Sequence, residues 1–490
     1  MGYKRNRKKG TALRILLIIC VISVAIAMVI AEKEKRLRLS SPVASPSEVI
    51  LSGSSETAFS VSADAKTQEP SYDHMDETSG KEPVFSYPLY GFSEKDSFDP
   101  LIYWDRQVSC AAGRKELLSE LSSLPLPYSL STKYKLYRQP VYVDLIAVGD
   151  NLYHTSITNY GKQEDGSYNY DSIYTNIKDY IKDIDVKVIN QEVVLTADPS
   201  KWSGFPVFAA PIECGQAVVK AGFNVITHAT NHSWDKGKDV ALEDIAFWKS
   251  QEGVILTGMY DSQEDRDKID IGEYNGIKIA FLNYTYNLNG YSLPKDAPYM
   301  VNLLRPEIFV PDIEKAKELA DIVIVFPHWG EEYQTTPSAY QRNVARQLAE
   351  AGADLIIGCH PHVVQPLEIL ELEDGRQVPC FYSLGNFIAN MPRADRCVEA
   401  MARVRIRKLG DKVSLEYVEA VPLVNFYTPQ FTGYTAYLAE DYTDEIARTH
   451  RNPDVTPRYV ENFWNNIFKI SYYSFSEEKK IRLKKCLISK

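Results

Sequence analysis

Residues Ala351–Glu368, with the sequence AGADLIIGCHPHVVQPLE, carry the strongest structural signal in this chain. The apolar run Leu355–Ile357 predicts a short buried strand, and His360 and His362 follow it two residues apart. We expect an extended segment here, in which side chains at i and i+2 project to the same side, with Pro361 fixing the backbone between the two imidazoles. Two neutral imidazoles at the carboxyl end of a strand are typical of half a metal site.

The chain from Val141 onwards alternates apolar, strand-like runs with helical stretches, and this pattern predicts an α/β fold built in layers. Strands are expected at 141–148, 186–190, 223–227, 254–257, 277–284, 322–326, 355–357 and 379–383. Helices are expected at 171–183, 214–221, 240–251, 313–320 and 339–351. The runs 402–407 and 413–421, separated by a Gly-Asp turn, predict a β-hairpin.

Polar side chains follow the carboxyl ends of five of these strands, at the edge where open α/β sheets hold ligands. The set includes five of the chain's eight histidines, and its members are Asp150, His154, Glu192, Asn231, His232, His328, His360 and His362. Together they supply the oxygen and imidazole donors that two divalent cations need. A single structural zinc ion would instead take four ligands, usually including cysteines.

Most of these residues also have a simpler interpretation when taken alone. Asp150 stands where a residue would cap a turn, and Asn231 where one would cap a helix. Glu192 is compatible with a surface charge, His154 with a turn residue and His328 with a hydrogen-bonded core residue. A shared metal centre explains all of them at once, and we therefore prefer it to five separate accounts.

At these residues the chain resembles the CapA-type (poly-γ-glutamate capsule synthesis) family, which is related to the dinuclear metallophosphoesterases. The resemblance spans roughly Val143 to Asn390. It is carried by six motifs in the family's order, namely Gly149-Asp150, Asn190-x-Glu192, Asn231-His232-x-x-Asp235-x-Gly237, His328-Trp329-Gly330-x-Glu332-Tyr333, Gly358-x-His360-Pro361-His362 and Ser383-Leu384-Gly385-Asn386-Phe387.

The resemblance implies a four-layer αββα sandwich, like that of the metallophosphoesterases, with a two-metal centre on its edge. It implies that Asp150 holds one ion together with His360 or His362. Asn231, His328 and the other of these two histidines would hold the second ion. The ions would be two divalent metals, with manganese, iron and zinc all left open.

The resemblance also suggests roles for the remaining candidates. Glu192 would bridge the two ions or orient a ligand, and His232 stands where the phosphoesterases place a proton donor. His154 is a further candidate ligand, but it has no settled counterpart in the wider phosphoesterases. The chain departs from the family pattern at Thr230 and Gln191, and a glutamate at 192 in place of a bridging aspartate leaves the number of bound ions open.

The amino-terminal part predicts a membrane anchor. Residues 1–12 form a basic tail, and the run 15–31 holds no charge, so we expect a transmembrane helix at 13–31. The excess of basic residues on the amino-terminal side places that end in the cytoplasm and the main domain outside the cell. A cleavable signal peptide is the alternative interpretation.

The rest of the chain divides by composition. Residues 32–83 are rich in Ser, Pro, Thr and acidic residues and predict a disordered tether. Residues 84–140 form an accessory segment to which we assign no chemistry. The CapA-like domain is expected at 141–425, and 426–490 is expected to be a helical extension.

The composition of the chain excludes two classes of protein. A net charge of −10 makes nucleic acid a poor partner. Seven scattered cysteines, an odd number without ligand spacing, do not describe a disulfide framework.

Two functions from different classes remain open. The first is a membrane-anchored protein of poly-γ-glutamate capsule biosynthesis or export, which grips the anionic polymer alongside other capsule-synthesis subunits. The second is an extracytoplasmic metal-dependent phosphoesterase or hydrolase that acts on another envelope substrate. Whether the chain is an enzyme is left open, and a degenerate site without metal is a third, weaker alternative.

Overall fold

A computed structural model describes residues 139–475 of the chain. Its strands are β1 (Val141–Asn151), β2 (Val186–Gln191), β3 (Leu195–Thr196), β4 (Ala210–Pro211), β5 (Val225–Thr227), β6 (Ile255–Thr257), β7 (Asp270–Tyr274), β8 (Ile277–Thr285), β9 (Ile322–His328), β10 (Leu355–Ile357), β11 (Val364–Glu371), β12 (Gln377–Leu384), β13 (Asn386–Ile388), β14 (Val398–Leu409), β15 (Lys412–Phe426), β16 (Thr435–Leu438) and β17 (Tyr472–Ser474). Its α-helices are α1 (Thr155–Tyr160), α2 (Thr175–Ile181), α3 (Ile212–Ala221), α4 (Gly237–Lys249), α5 (Gln263–Arg266), α6 (Pro306–Leu319), α7 (Ala339–Ala351), α8 (Asp444–Ala447) and α9 (Pro457–Ile467).

The strands form two large sheets and one small pair. The first sheet has the order β16-β15-β14-β1-β2-β5-β6, with β13 beside β1 and β17 beside β15. The second has the order β11-β12-β10-β9-β8-β7, and β3 pairs with β4. Strands β1, β2, β5 and β6 run parallel, as do β8, β9, β10 and β12. The carboxyl ends of the parallel strands within each sheet therefore meet at one edge.

Three apolar clusters lie between the layers of the molecule and hold them together. The middle cluster lies between the sheets, where Leu145 of the first sheet and Phe281 and Ile324 of the second are fully buried. A second cluster joins the outer face of the first sheet to α3 and α4 and includes Trp248. A third joins the outer face of the second sheet to α6 and α7 and includes Leu348. The predicted α/β class is confirmed, and the layers are helix, sheet, sheet, helix.

Most predicted elements are present, with shifted ends. The helix expected at 171–183 is a 3₁₀ turn, Asp171–Tyr174, followed by α2. Strands β7 and β11 were not predicted, because their mixed apolar and polar residues do not alternate cleanly and pairing with β8 and β12 defines them. The segment 426–490, expected to be helical, contributes α8 and α9 in its described part. It also contributes β16 and β17, both of which pair with β15.

The predictions for the amino-terminal tail, anchor and tether, and for residues 84–138 of the accessory segment, fall outside the described residues. Within residues 139–475, no helix combines the length and apolarity needed to cross a bilayer.

The core between the sheets gives a direct test of this arrangement. Truncation of Ile324, which is fully buried there, should lower the free energy of unfolding by about 2–5 kcal/mol in an Ile324→Ala variant, because a cavity remains. Leu319, which is 47% exposed at the end of α6, should tolerate Leu319→Ala within about 0.5 kcal/mol. Urea unfolding of the purified chain measures both, and equal shifts for the two variants would contradict the packing described here.

Candidate metal centre

The strand ends bring a row of polar residues together at one edge. In the first sheet, Asp150 of β1 lies between Asn190 of β2 and Asn386 of β13, and Asn190 is followed by Thr227 of β5. In the second sheet, His328 is the last residue of β9 and pairs with a residue of β8. The row therefore places a carboxylate of one sheet opposite an imidazole of the other.

Gly149 determines how Asp150 enters this row. The pairing of β1 with β2 shifts register between Val148 and Asp150, which is a local bulge. A Cβ at position 149 would lie 2.0 Å from the carbonyl oxygen of Gly385. That same carbonyl accepts a hydrogen bond from the Asp150 N–H at 2.9 Å. Only glycine permits this approach of the two backbones, which turns Asp150 into the site.

One group of possible ligands is made of Asp150, Glu192 and His362. Each offers one ligand atom, and these atoms lie within 4.8 Å of one another. His362 Nδ1 is 3.0 Å from Asp150 Oδ2, and its Nε2 is 3.6 Å from Glu192 Oε1. All three side chains are buried. This is the mixed carboxylate and imidazole donor set that divalent transition metals bind.

A second group shares Glu192 with the first and adds His328 and His360, again within 4.8 Å. His328 Nε2 is 3.7 Å from Glu192 Oε1 and 2.8 Å from Asn231 Oδ1. The His328 and His360 ring centroids are 4.8 Å apart. Asn231 thus adds an amide oxygen beside this group.

The two histidines of the His-Pro-His segment divide between the groups. His360 lies with His328, and His362 lies with Asp150, which corresponds to one of the two divisions that the resemblance left open. The segment is not extended, so that expectation was wrong. The φ angles of His360 and His362 are +101° and +56°. Such angles are costly for residues other than glycine and cluster at functional sites. Here these angles direct the imidazoles of His360 and His362 toward the two different donor groups.

The electrostatics of the cluster favour a cation. Burial and the neighbouring Asp150 raise the pKa of Glu192 well above its ordinary value. Burial alone would lower the pKa of His362, but Glu192 and Asp150 outweigh it and raise that pKa to about 9. Burial and neighbouring imidazoles lower the pKa values of His328 and His360. The edge thus combines two buried carboxyl groups with two imidazoles held neutral, as metal binding requires, whereas an ion bound at His362 would have to displace a proton.

Unpartnered buried atoms test whether a metal fits. Among residues 139–475, neither carboxylate oxygen of Glu192 nor either ring nitrogen of His360 has a hydrogen-bond partner. Buried polar atoms are rarely left in this way, and an ion is one of the few explanations. The donor set therefore fits divalent metal. A metal bound here would act as a Lewis acid toward an oxygen of the substrate.

His232 lies beside this cluster with one ring nitrogen engaged. Its Nδ1 is 2.7 Å from Asp235 Oδ2 and 3.2 Å from the side-chain nitrogen of Asn289. The ring of Phe208 packs edge-on against it, with centroids 4.7 Å apart. The carboxylate orients the imidazole and leaves Nε2 as the nitrogen able to transfer a proton.

His154 was a candidate ligand, and the structure places it outside both donor groups. Its Nδ1 lies 3.3 Å from the backbone N–H of Asn390 and 3.3 Å from the carbonyl of Leu152. Burial first, then His362, lower its pKa to about 4. It is a neutral imidazole tied by Nδ1 to the backbone.

Two supporting residues were missed as site residues. Asn386 Oδ1 lies 3.0 Å from His362 Nδ1, and its backbone N–H donates to Glu399 at 2.7 Å. The motif that contains Asn386 was visible in the sequence, so its role could have been suspected. Glu399 lies within β14 and carried no signal, because nothing local indicates that a strand carboxylate is buried against the site.

The fold and the donor set define an α/β protein with a candidate metal site at one edge. The profile of the family described as "Bacterial capsule synthesis protein PGA_cap" matches residues 144–391, about half of the chain. The chain belongs to this family. The match covers all the predicted site residues.

Two curated relatives are similar to this chain over part of their length. The PGA biosynthesis protein CapA of Bacillus subtilis (strain 168) is 35% identical over 189 residues, which is 38% of this chain and 48% of that protein. The capsule biosynthesis protein CapA of Bacillus anthracis is 30% identical over 265 residues, which is 52% of this chain and 62% of that protein. The similarity thus spans between about half and two thirds of each relative.

Solved structures resemble the chain more distantly. The NAD nucleotidase NadN of Haemophilus influenzae is 12% identical, with a TM-score of 0.38, over 58% of this chain and 50% of that chain. The calcineurin-like phosphoesterase YfkN of Bacillus subtilis is 15% identical, with a TM-score of 0.37, over 67% of this chain and 98% of that chain. Similarities this weak assign no function.

The shared carboxylate predicts how stability responds to metal. Without added metal, Glu192→Gln should leave the thermal transition unchanged or raise it, because a neutral amide avoids the cost of burying an ionisable carboxyl group. With Mn²⁺ or Zn²⁺ at about 100 times the dissociation constant, wild type should gain about 2.7 kcal/mol and the variant little. Thermal unfolding of chelator-treated protein, with and without metal, measures this difference. Glu331→Gln, at an exposed position, is the control, and an equal gain in Glu192→Gln would contradict the assignment.

Proposed function

We propose that this chain is a capsule-biosynthesis protein that holds two divalent ions and uses them to engage the anionic poly-γ-glutamate polymer. The observation that carries the proposal is that Glu192 belongs to both donor groups. One group adds Asp150 and His362, and the other adds His328 and His360. A carboxylate shared in this way would bridge two ions, with Asn231 as a further oxygen ligand of the second.

The charge of the chain supports a role for the ions in binding. A net charge of −10 opposes the approach of a polyanion. Divalent ions at the strand ends would reverse the local sign, because the bound ion is the largest charge in such a site. One CapA relative is named for PGA biosynthesis and the other for capsule biosynthesis, so we take the poly-γ-glutamate polymer as the first ligand to test.

The pairing of His232 with Asp235 favours a second candidate function, an extracytoplasmic phosphoesterase or hydrolase acting on another envelope substrate. A binding subunit has no evident need for an oriented imidazole beside its metal centre. In hydrolysis, His232 Nε2 would donate a proton to the leaving oxygen, while Asp235 would hold the ring in place and stabilise its charged form.

A substitution at His232 separates these two functions. His232→Ala should lower phosphodiester turnover by roughly 10²–10⁴-fold, whereas metal content, measured by elemental analysis, should stay at that of wild type. Asp235→Asn should give a smaller loss, because it disturbs orientation only. Lys238→Gln, at an exposed position of α4, is the folding control. Wild-type protein that holds metal but turns over no phosphoester would leave the binding function and reject the hydrolase.

We further propose that the apolar run at 13–31 anchors the chain as a single-pass protein. The amino terminus would lie in the cytoplasm, and the tether would carry the metal-binding domain outside the cell. The basic residues before the run support this orientation. Other capsule-synthesis subunits in the same membrane are the expected protein partners.

Protease treatment of intact cells tests this topology. A tag fused to the amino terminus should stay protected and membrane-bound, while the domain that begins at Val141 should be digested from outside. Protein released into the medium without the tag would show a cleaved signal peptide instead. Protection of the domain in intact cells would place it in the cytoplasm and reject the proposal.

A further inference from the structure

We propose that Arg396, stacked on Tyr333 at the rim of the metal centre, binds an oxyanion group of the substrate. The group is a carboxylate or a phosphoryl oxygen pair, next to the part of the substrate that the metal site engages. This inference rests on the proposed function, because it assumes that the strand-end cluster is where the substrate binds. It adds a substrate-binding residue that the motifs did not indicate.

The position of Arg396 follows from two contacts of Tyr333. The guanidinium carbon of Arg396 lies 3.3 Å from the centroid of the Tyr333 ring. The same ring lies 6.0 Å, centroid to centroid, from the ring of His362. The guanidinium carbon is therefore no farther from the centre of the His362 ring than the sum of these two distances, which places Arg396 beside the metal-binding cluster.

Tyr333 is itself fixed to the metal-binding segment. Its backbone N–H donates to the carbonyl of Pro361 at 2.7 Å, between the two candidate ligands His360 and His362. Its φ angle is +65°, a conformation that residues other than glycine rarely adopt and that is often found where function requires it. The Tyr333 ring, on which Arg396 stacks, is thus held at a fixed position relative to the metal site.

A second connection ties the backbone of Arg396 to the same place. The Arg396 carbonyl accepts a hydrogen bond from Asn386 Nδ2 at 3.4 Å. Asn386 Oδ1 in turn lies 3.0 Å from His362 Nδ1. Both the side chain and the backbone of Arg396 therefore reach the His362 ligand through a single intervening residue, and the guanidinium is positioned before any substrate arrives.

The guanidinium is available to a ligand. Within residues 139–475 it has no ion pair, and its buried Nε has no hydrogen-bond partner. Arg393, on the same turn, instead makes two hydrogen bonds to Asp395, at 3.1 and 3.0 Å. A guanidinium stacked by its face on an aromatic ring keeps its N–H edges free for bidentate binding of a carboxylate or phosphate.

The charges around Arg396 explain why a cation would be placed here. Burial, followed by the negative charge of Glu332, raises the pKa of Tyr333 to about 12, so one carboxylate lies beside the ring on which Arg396 stacks. The carboxylates at and behind this rim oppose an anionic substrate, which the metal ions would attract. A fixed cation beside them supplies a second attractive contact and therefore selects substrates that carry a further oxyanion.

The test measures binding to the full chain loaded with metal, using calorimetry at fixed salt concentration. One probe is a γ-linked glutamate oligomer and the other is a phosphomonoester. Arg396→Gln should weaken binding of at least one probe by about 10- to 100-fold, as expected for a lost hydrogen bond to a charged group. Metal content should not change. Arg396→Lys should recover part of the affinity, and the control Arg393→Gln should bind both probes like wild type.

The outcomes distinguish this inference from the proposed function. Weakening confined to the oligomer identifies a carboxylate subsite, weakening confined to the phosphomonoester identifies a phosphoryl subsite, and either supports the role of Arg396. Wild-type affinity of Arg396→Gln for both probes overturns that role and leaves the metal centre intact. If metal-loaded wild type binds neither probe, the proposed anionic substrate class fails, and the subsite fails with it.

Discussion

Two carboxylates, those of Asp150 and Glu192, are buried together at one edge of the molecule, and the rest of the site depends on this fact. A buried charge is costly unless it is paired or coordinates a metal. Asp150 has partners, because Asn190 and the His360 N–H donate to it. Glu192 has His328 and His362 near its Oε1, at 3.7 and 3.6 Å, but neither of its carboxylate oxygens has a hydrogen-bond partner among residues 139–475. Glu192 is therefore a buried carboxyl group whose oxygens have no hydrogen-bond donor among the described residues, which is the situation that a bound cation would relieve.

The fold creates this arrangement through strand ends rather than through any local sequence. Parallel strands of both sheets end at the same edge, so residues more than 170 positions apart, such as Asp150 and His328, become neighbours. The arrangement also requires a glycine at position 149, because the absence of a Cβ lets β1 approach the turn at Gly385. A side chain at 149 would push β1 away from that turn and displace the carboxylate that follows.

The sequence predicted the row of donors because polar residues at strand ends can be recognised without knowing how the strands pair. It could not predict which histidine joins which group, since that depends on positive φ angles at His360 and His362. Nor could it find Glu399, whose carboxylate meets Asn386 only because β14 and β13 lie together in the folded sheet. For His154 the sequence position was suggestive, but the ring is held by the backbone at Asn390. Each of these differences depends on backbone angles or on contacts between residues far apart in the sequence, which the spacing of apolar residues does not reveal.

A buried pair behind the site shows that Glu192 is held in place as well as enclosed. His228 lies outside the predicted set, yet its Nδ1 is 2.6 Å from the carbonyl of Gln191 and its Nε2 contacts Asp244. All of this pair is buried, and burial raises the pKa of Asp244. The pair fixes the end of β2, and with it the residue that both donor groups share. Supporting contacts of this kind orient metal ligands in advance and strengthen binding. A chain that only enclosed two acidic residues would have no need of such a support, so the pair itself argues that Glu192 is positioned for a ligand.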